Sequence, residues 1–113
     1  MHELAITRSV VAIVSERASG QRVTRVRLEI GRLSAIMPEA IRFCFDICTR
    51  NTAAAGAALE IDEIPGRGCC NECGQQFAVQ ELFGCCPGCG HAGLRLIAGH
   101  ELNIKEMEIE PCV

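Results

Sequence analysis

Two cysteine pairs of identical spacing are the residues in this 113-residue sequence that are best able to do chemistry. Each pair has the pattern Cys-x-x-Cys-Gly, which we call a knuckle, and 12 residues separate the last cysteine of the first from the first cysteine of the second. A knuckle can present two thiolates to one ion, and two knuckles can complete a tetrahedron. We therefore predict a structural zinc site, because four protein ligands leave no open position for a substrate. The predicted ligands are Cys70, Cys73, Cys86 and Cys89.

Other interpretations of the cysteines stay open at this stage. Two redox-active pairs without metal, or a rubredoxin-like iron site, would have the same spacing. Cys69 and Cys85 each precede a knuckle and are expected to point away from the ion, although either could replace a neighbour as ligand. Cys44 and Cys48 lie four residues apart and are expected to pack in the core, and Cys112 is expected to be exposed.

Several nitrogen atoms that can bind a metal ion lie close together at the amino terminus. The bulk of His2 is expected to prevent removal of Met1, so a free amine stands beside an imidazole. The amine, the His2 amide and the imidazole can form fused chelate rings, the nitrogen field that Ni(II) or Cu(II) prefers. A fourth donor would come from the Glu3 amide, from His91 or His100, or from a partner. The alternative is a solvated terminal histidine followed by a glutamate that the helix dipole stabilises.

Composition favours a folded, metal-binding domain and disfavours several partners. Hydrophobic residues make up 49% and charged residues 22% of the chain, with a net charge of -3, four Phe and no Trp or Tyr. This balance gives no support for binding a nucleic-acid backbone. No apolar run suggests a membrane span or a signal peptide, so we expect a cytoplasmic protein. In a reducing compartment, nine cysteines are expected to be metal ligands or buried thiols instead of disulfides.

Hydrophobic periodicity predicts two helices and three strands. The first helix spans Leu4 to Ala18 and is stopped by Gly20, and the second begins at Pro38 and ends near Asn51. The apolar face of the first helix is formed by Ile6, Val10, Ile13 and Val14, and that of the second by Ile41, Cys44, Phe45 and Cys48. Alternation predicts strands at residues 24–30 (Thr24, Val26, Leu28 and Ile30 on one face), at 59–62, and at 102–109 with a bulge. The cysteine-rich segment is thus inserted between two strands of one sheet.

Several motifs together resemble those of the HypA/HybF family of nickel-insertion chaperones. They are Met1-His2-Glu3-Leu4, Gly31-Arg32-Leu33, Pro38-Glu39-Ala40-Ile41-Arg42-Phe43, the two knuckles, and Gly99-His100-Glu101-Leu102-Asn103-Ile104. The similarity covers essentially the whole chain. With the periodicity, it implies an α+β fold with two helices on a three-stranded mixed sheet. This nickel-binding domain would comprise residues 1–66 and 99–113, and a small zinc-ribbon-like domain would comprise residues 67–98.

The resemblance also implies a function. His2 would be the essential nickel ligand with Glu3 beside it, and the four knuckle cysteines would hold structural zinc. The protein would not be an enzyme, but a cytoplasmic metallochaperone that delivers Ni(II) to the NiFe hydrogenase large-subunit precursor with a GTPase of the HypB type. The resemblance allows a homodimer and a role in urease maturation. The alternative function is a zinc-ribbon interaction adaptor that ignores nickel, for which replacing His2 would not change nickel binding.

Overall fold

The computed structural model describes residues 2–81 and 84–111. Within these residues the chain forms two helices and six strands, which build two three-stranded sheets. Met1 and Cys112, which carry two of the expectations above, lie outside the described residues. The elements are α1 (Glu3–Ala18), β1 (Val23–Gly31), α2 (Pro38–Cys48), β2 (Ala58–Ile64), β3 (Arg67–Cys70), β4 (Gln76–Ala78), β5 (Leu94–Ala98) and β6 (Leu102–Ile109).

The first sheet has the strand order β2-β1-β6 and is mixed, as predicted. The central strand β1 is parallel to β2 and antiparallel to β6. Parallel neighbours need a crossover connection, and α2 provides it. The chain leaves this sheet after β2, forms the second sheet in the order β4-β3-β5, and returns as β6. The predicted insertion between two strands of one sheet is therefore confirmed.

Helix α1 agrees with its predicted bounds but not with its full predicted core face. Val10 and Val14 are buried, and the helix ends where Ser19 and Gly20 adopt left-handed backbone conformations. Ile13, predicted to be buried, is 45% exposed. The buried residues instead form a row on the side of the helix that packs on α2, and Ile13 lies outside this row, at a groove between α1 and β6. That row contains Thr7, Val10, Val11, Val14 and Ala18.

Helix α2 begins at Pro38, as predicted, and ends at Cys48, three residues earlier than expected. Its Ile41 and Phe45 side chains are almost completely buried, whereas Cys44 and Cys48 are half-buried. The early end follows from Thr49, whose backbone N–H and hydroxyl both donate to the Phe45 carbonyl at 3.0 and 2.8 Å. The next residues form a turn in which Asn51 is left-handed, and a helix cannot continue through it.

Strand β1 alternates as predicted over most of its length. Val26, Leu28 and Ile30 are buried on the helix side. At its start, Val23 is buried and Thr24 is exposed, because the pairing with β6 slips by one residue between Val23 and Arg25. The predicted bulge in β6 is confirmed, and its extra residue lies between the partners of Arg27 and Leu28, namely Glu106 and Ile104.

The face of this sheet that points away from the helices is covered by ion pairs. Arg25 contacts Glu60 at 2.6 Å and Glu108 at 2.8 Å, and Arg27 contacts Asp62 at 2.9 Å. The hydrogen bond from Arg27 is the main reason why the pKa of Asp62 is lowered. Because these groups are partly exposed, each pair adds little stability. They make this face polar, so the apolar core lies on the helix side alone.

Three glycines join the two sheets. Gly31, at the end of β1, donates its N–H to the Glu101 carbonyl at 2.8 Å, and Gly99 accepts the Leu33 N–H at 2.7 Å. A Cβ atom on Gly31 would overlap the Gly99 carbonyl group, and one on Gly99 would lie 2.6 Å from the Gly66 Cα. The backbones therefore pass each other at a distance that leaves no room for side chains.

We predict that Gly31→Ala lowers the free energy of unfolding by about 1–3 kcal/mol, the usual cost of overpacking. The added methyl group would meet rigid backbone, which cannot move aside as a side chain would. Denaturant unfolding followed by circular dichroism measures this change. Gly84→Ala is the matched control, because a Cβ there meets no atom within 4 Å. Equal stability of the two variants would contradict the close approach at Gly31.

Neither helix in the described part of the chain is long and apolar enough to cross a membrane.

Candidate metal centres

The first knuckle begins at the last residue of β3. The Cys70 N–H donates to the Gln75 carbonyl at 2.9 Å, and the Gly74 N–H donates back to the Cys70 carbonyl at 3.0 Å. Gly74 has a φ of 76°, which closes the turn and favours glycine. The Glu72 N–H points at the Cys70 sulfur at 3.4 Å. The turn thus holds the first sulfur of the knuckle in place with a backbone donor.

The second knuckle repeats this structure 16 residues later. The Cys86 N–H donates to the His91 carbonyl at 2.9 Å, and the Gly90 N–H donates to the Cys86 carbonyl at 2.8 Å. Gly90 has a φ of 79°, and the Gly88 N–H points at the Cys86 sulfur at 3.3 Å. The two knuckles, which are similar in sequence, therefore also have the same pattern of backbone hydrogen bonds. Each knuckle supplies one sulfur with a fixed N–H donor and one that is more exposed.

The structure brings all four predicted ligands together. Their Sγ atoms lie within 4.8 Å of one another. Cys70 Sγ is 3.5 Å from Cys89 Sγ, and Cys73 Sγ is 3.6 Å from Cys86 Sγ, so each close pair joins the two knuckles. Zinc bound tetrahedrally at about 2.3 Å would place the sulfurs about 3.8 Å apart. The four thiols therefore need only a small adjustment to hold one such ion.

The electrostatics of the cluster favour a cation. Backbone N–H groups, that of Cys89 first and that of Gly88 also, lower the pKa of Cys86 to about 7. The His91 N–H lowers the pKa of Cys89, but contacts with Cys70 and the other thiols, together with burial, outweigh it and raise this pKa to about 12. Four neighbouring thiols cannot all ionise by themselves. A divalent cation removes this conflict by taking the place of the protons.

The two additional cysteines lie outside this cluster. Cys69 is half-buried and its sulfur is 3.5 Å from the Gly74 carbonyl oxygen, to which it donates. Cys85 is exposed. Cys44 and Cys48 also form no such group, and all eight cysteines in the described part of the chain are free thiols. The structure thus offers one four-cysteine set, the one that the spacing predicts.

His2 stands at the start of α1 with an exposed side chain. It occupies the N-cap position, where its carbonyl accepts the Ile6 N–H at 3.0 Å, and its imidazole caps no backbone group of the helix. Only the backbone of His2 therefore takes part in the helix. The imidazole is accessible to an ion and to a partner.

Glu3 is buried beside His2 and ties α1 to the start of α2. Its carboxylate accepts the Met37 N–H at 3.4 Å. Its pKa is lowered to about 2, first by the positive amino terminus and then by the backbone N–H groups of Glu3 itself and Met37. Sequence patterns did not predict the contact with Met37. Its one signal is that neither Met37 nor its neighbour Pro38 can cap α2 with a side chain, so the start of α2 needs an acceptor from another element. The carboxylate is thus an anchor that fixes the first turn of α1.

The other two histidines belong to no second cluster. His91 directly follows the second knuckle, with its Nε2 3.8 Å from a Glu72 carboxylate oxygen, and both His91 and His100 are exposed. Among residues 2–81 and 84–111, the four knuckle cysteines are the one group of at least three potential ligand side chains. The structure therefore does not bring either histidine into a ligand set with other side chains.

The fold and these thiols define a small α+β metal-binding protein with an inserted knuckle module. A family model described as "HypA: Hydrogenase/urease nickel incorporation, metallochaperone, hypA" matches residues 1–109. The chain is 60% identical over 110 residues to the hydrogenase maturation factor HypA of Nostoc punctiforme and 52% identical to that of Geobacter metallireducens. These alignments cover 97% of this chain and 96% and 100% of the relatives. The chain belongs to the HypA family of nickel-incorporation metallochaperones, which are metal carriers and not enzymes.

Solved structures show the same fold. The solution structure of the Ni metallochaperone HypA from Helicobacter pylori matches with a TM-score of 0.70 at 24% identity, covering 96% of this chain and 97% of that one. A second solution structure of a HypA protein matches with a TM-score of 0.74 at 23% identity and covers 97% of both chains. These structures confirm the predicted fold class, and the family model and the relatives confirm the predicted family.

Proposed function

We propose that this protein captures Ni(II) at its amino terminus and delivers it to the NiFe hydrogenase large-subunit precursor. The proposed ligands are the Met1 amine, the His2 amide and imidazole, with Glu3 beside them. The observation that carries the proposal is the accessible imidazole of His2 at the first turn of α1, in a chain of the nickel-incorporation family. A carrier must release its cargo, and an exposed terminal chelate can exchange ligands more easily than a closed cage.

The start of α1 is suited to this chemistry because its amides are not needed by the helix. The first four N–H groups of an α-helix have no acceptor within the helix. Nickel binding that removes the amide proton of His2 or Glu3 therefore breaks no helical hydrogen bond. Glu3 keeps the adjacent backbone in place through Met37. These features support a chelate of nitrogen donors, which Ni(II) prefers in tetragonal geometry.

We further propose that Cys70, Cys73, Cys86 and Cys89 bind structural Zn(II) and that residues 67–98 form a separate domain around it. Zinc fits four thiolates at these distances, and a closed set of four leaves it without a catalytic position. Bound zinc would hold the knuckle module in one conformation. It would take no part in carrying nickel.

The proposed partners follow from the family's role in hydrogenase maturation. A GTPase of the HypB type would assist the transfer, the large-subunit precursor would receive the ion, and a second copy of the chain is compatible with both. We place the transfer in the cytoplasm, where thiols stay reduced. Delivery is tested by loading the protein with ⁶³Ni and measuring label on the purified precursor with the GTPase and GTP present. Label that stays on this chain would exclude delivery.

Extending the chain by about six glycine and serine residues before Met1 tests the nickel site directly. The extension converts the Met1 amine into an amide and moves the free amine away from the His2 imidazole, so we expect nickel affinity to fall by at least about tenfold. Calorimetric titration of the native and extended proteins measures this. Equal affinities would favour the alternative function, an interaction adaptor that does not bind nickel at its terminus. Unchanged zinc content in both proteins shows that the fold is intact.

A further inference from the structure

On the face of the mixed sheet that carries the helices, the part next to the edge strand β6 is left uncovered. Helix α2 packs on the β2 side and α1 packs beside α2, and a groove of about 760 Å³ remains between α1 and the edge strand β6. Its walls are mainly apolar, and charged groups stand at its rim. The apolar residues of the groove include Ile6, Ile13, Leu102, Ile104 and Met107.

The groove accounts for the exposure of Ile13, which the periodicity of α1 predicts to be buried. Ile13 and Leu102 are 45% and 39% exposed on opposite walls, and Ile104 and Met107 are only half-buried between them. The apolar face of α1 is wider than the area that α2 and the sheet cover. Apolar residues that converge on one groove from a helix and a strand mark an interaction surface more strongly than scattered exposed ones do.

The edge of β6 is unsuited to the addition of another strand. The bulge inserts Lys105 next to Glu106, and bulges and lysines on an edge strand are features that prevent strand pairing. A helix does not need this edge. Laid beside α1 and over β6, a helix would become the third member of the helical layer and would cover the apolar walls.

The charge at the rim is positive. Arg17 is exposed in the groove wall and makes no ion pair or hydrogen bond with the side chains that the structure describes. Glu106 and Lys105 also line the groove, but the Glu106 carboxylate contacts Arg25 at 3.3 Å and Arg27 at 3.4 Å, and the Lys105 Nζ lies 3.7 Å from Asp62. The charge left for a ligand is therefore that of Arg17, which an acidic side chain would complement.

We infer that this groove is the docking site for an amphipathic helix of a partner protein, with its apolar stripe over Ile13 and Leu102 and an acidic residue opposite Arg17. His2 is not among the residues that line the groove. A helix docked there need not cover the His2 side chain. The inference goes beyond the proposed carrier role, and it would let a partner hold this protein while the nickel site stays free to exchange its ion.

The test uses a synthetic amphipathic helix of about 18 residues, enough to run the length of α1. One peptide carries a leucine stripe flanked by glutamates, and a second carries the same stripe flanked by lysines. Each is titrated into the full-length, ¹⁵N-labelled protein, and amide shifts locate the binding site. We expect the glutamate peptide to shift the residues of α1 and β6 that line the groove and to bind more tightly than the lysine peptide.

Two pairs of variants separate the apolar from the electrostatic contribution. Ile13→Gln should weaken binding of the glutamate peptide by at least about tenfold, the effect of losing a central apolar contact. Ile47→Gln is the matched control, because Ile47 is 44% exposed but lies in a different groove, between α1 and α2. Arg17→Glu should reverse the preference between the two peptides, and Arg8→Glu should not.

Three outcomes would overturn the inference. These are shifts that lie outside the groove, equal effects of Ile13→Gln and Ile47→Gln, and a self-associated native protein that Ile13→Gln dissociates in sedimentation. The last result would show that a second copy of the chain covers the groove. Nickel titration of Ile13→Gln keeps the two proposals apart, because the terminal site should bind nickel equally in this variant and in the native protein.

Discussion

Replacing Cys70 by serine is expected to abolish zinc binding and to unfold residues 68–93, whereas replacing the adjacent Cys69 by serine should change neither. Cys70 Sγ is one of four sulfurs within 4.8 Å of one another, and Cys69 Sγ is turned toward the Gly74 carbonyl instead. Loss of a hydrogen-bond partner behind a ligand costs up to about 100-fold in metal affinity, and loss of the ligand itself should cost more. The zinc content of the purified variants, measured by mass spectrometry, gives the answer.

Unfolding should accompany zinc loss because the knuckle module has almost no core of its own. The buried hydrophobic side chains in its described part are Cys70, Val79 and Cys86, and two of these three are proposed ligands. The helix–sheet unit has a continuous apolar core and should stay folded. Amide resonances of residues 68–93 should therefore collapse in Cys70→Ser, while those of β1 and β2 keep their dispersion. A Cys70→Ser protein with a full zinc equivalent would contradict the proposed site.

The matched control uses the second knuckle in the same way. Cys86 is buried and Cys85, its exposed neighbour, lies outside the thiol cluster. Cys86→Ser should behave as Cys70→Ser, and Cys85→Ser should behave as the native protein. If Cys85→Ser or Cys69→Ser lost zinc instead, the ligand set would be the alternative one in which a neighbouring thiol takes part.

Local patterns were sufficient to predict most of the elements. The helical period placed α1 and α2 because their apolar repeat depends only on neighbouring turns. The bulge in β6 was predictable because apolar residues fall at 102 and 104 and then at 107 and 109, a shift that only one extra residue explains. The knuckles were predictable from spacing, because a Cys-x-x-Cys-Gly turn closes within a few residues through its own backbone hydrogen bonds.

Features that depend on packing between distant segments could not be predicted in this way. The exposure of Ile13 depends on how α1 is rotated against α2 and β6, which the helical period does not contain. The contact of Glu3 with Met37 joins residues 34 positions apart. The close approach of Gly31 and Gly99 brings the end of β1 against the connection between β5 and β6. Each of these features became visible only once the topology was known.

Replacing His2 by glutamine is expected to weaken nickel binding by at least about 100-fold, while His100→Gln leaves it unchanged. Glutamine is bulky enough to prevent removal of Met1, as His2 is, but it has no imidazole. The imidazole of His2 is exposed at the start of α1, and in the proposed chelate it closes one of the fused rings. His100 is equally exposed and is the matched control for the loss of a surface imidazole. Calorimetric titration with Ni(II) measures both affinities under the same conditions.

The His2 side chain caps no backbone group of the helix, so replacing it should leave the fold unchanged. Only its carbonyl contributes to α1, by accepting the Ile6 N–H at 3.0 Å, and glutamine keeps that carbonyl. Helix content and zinc content should therefore equal those of the native protein, so a loss of nickel would report on the chelate alone. If His2→Gln bound nickel as tightly as the native chain, the metal would have to be held elsewhere and the proposed terminal site would be wrong. A matching loss in His100→Gln would point to that histidine as the missing fourth donor.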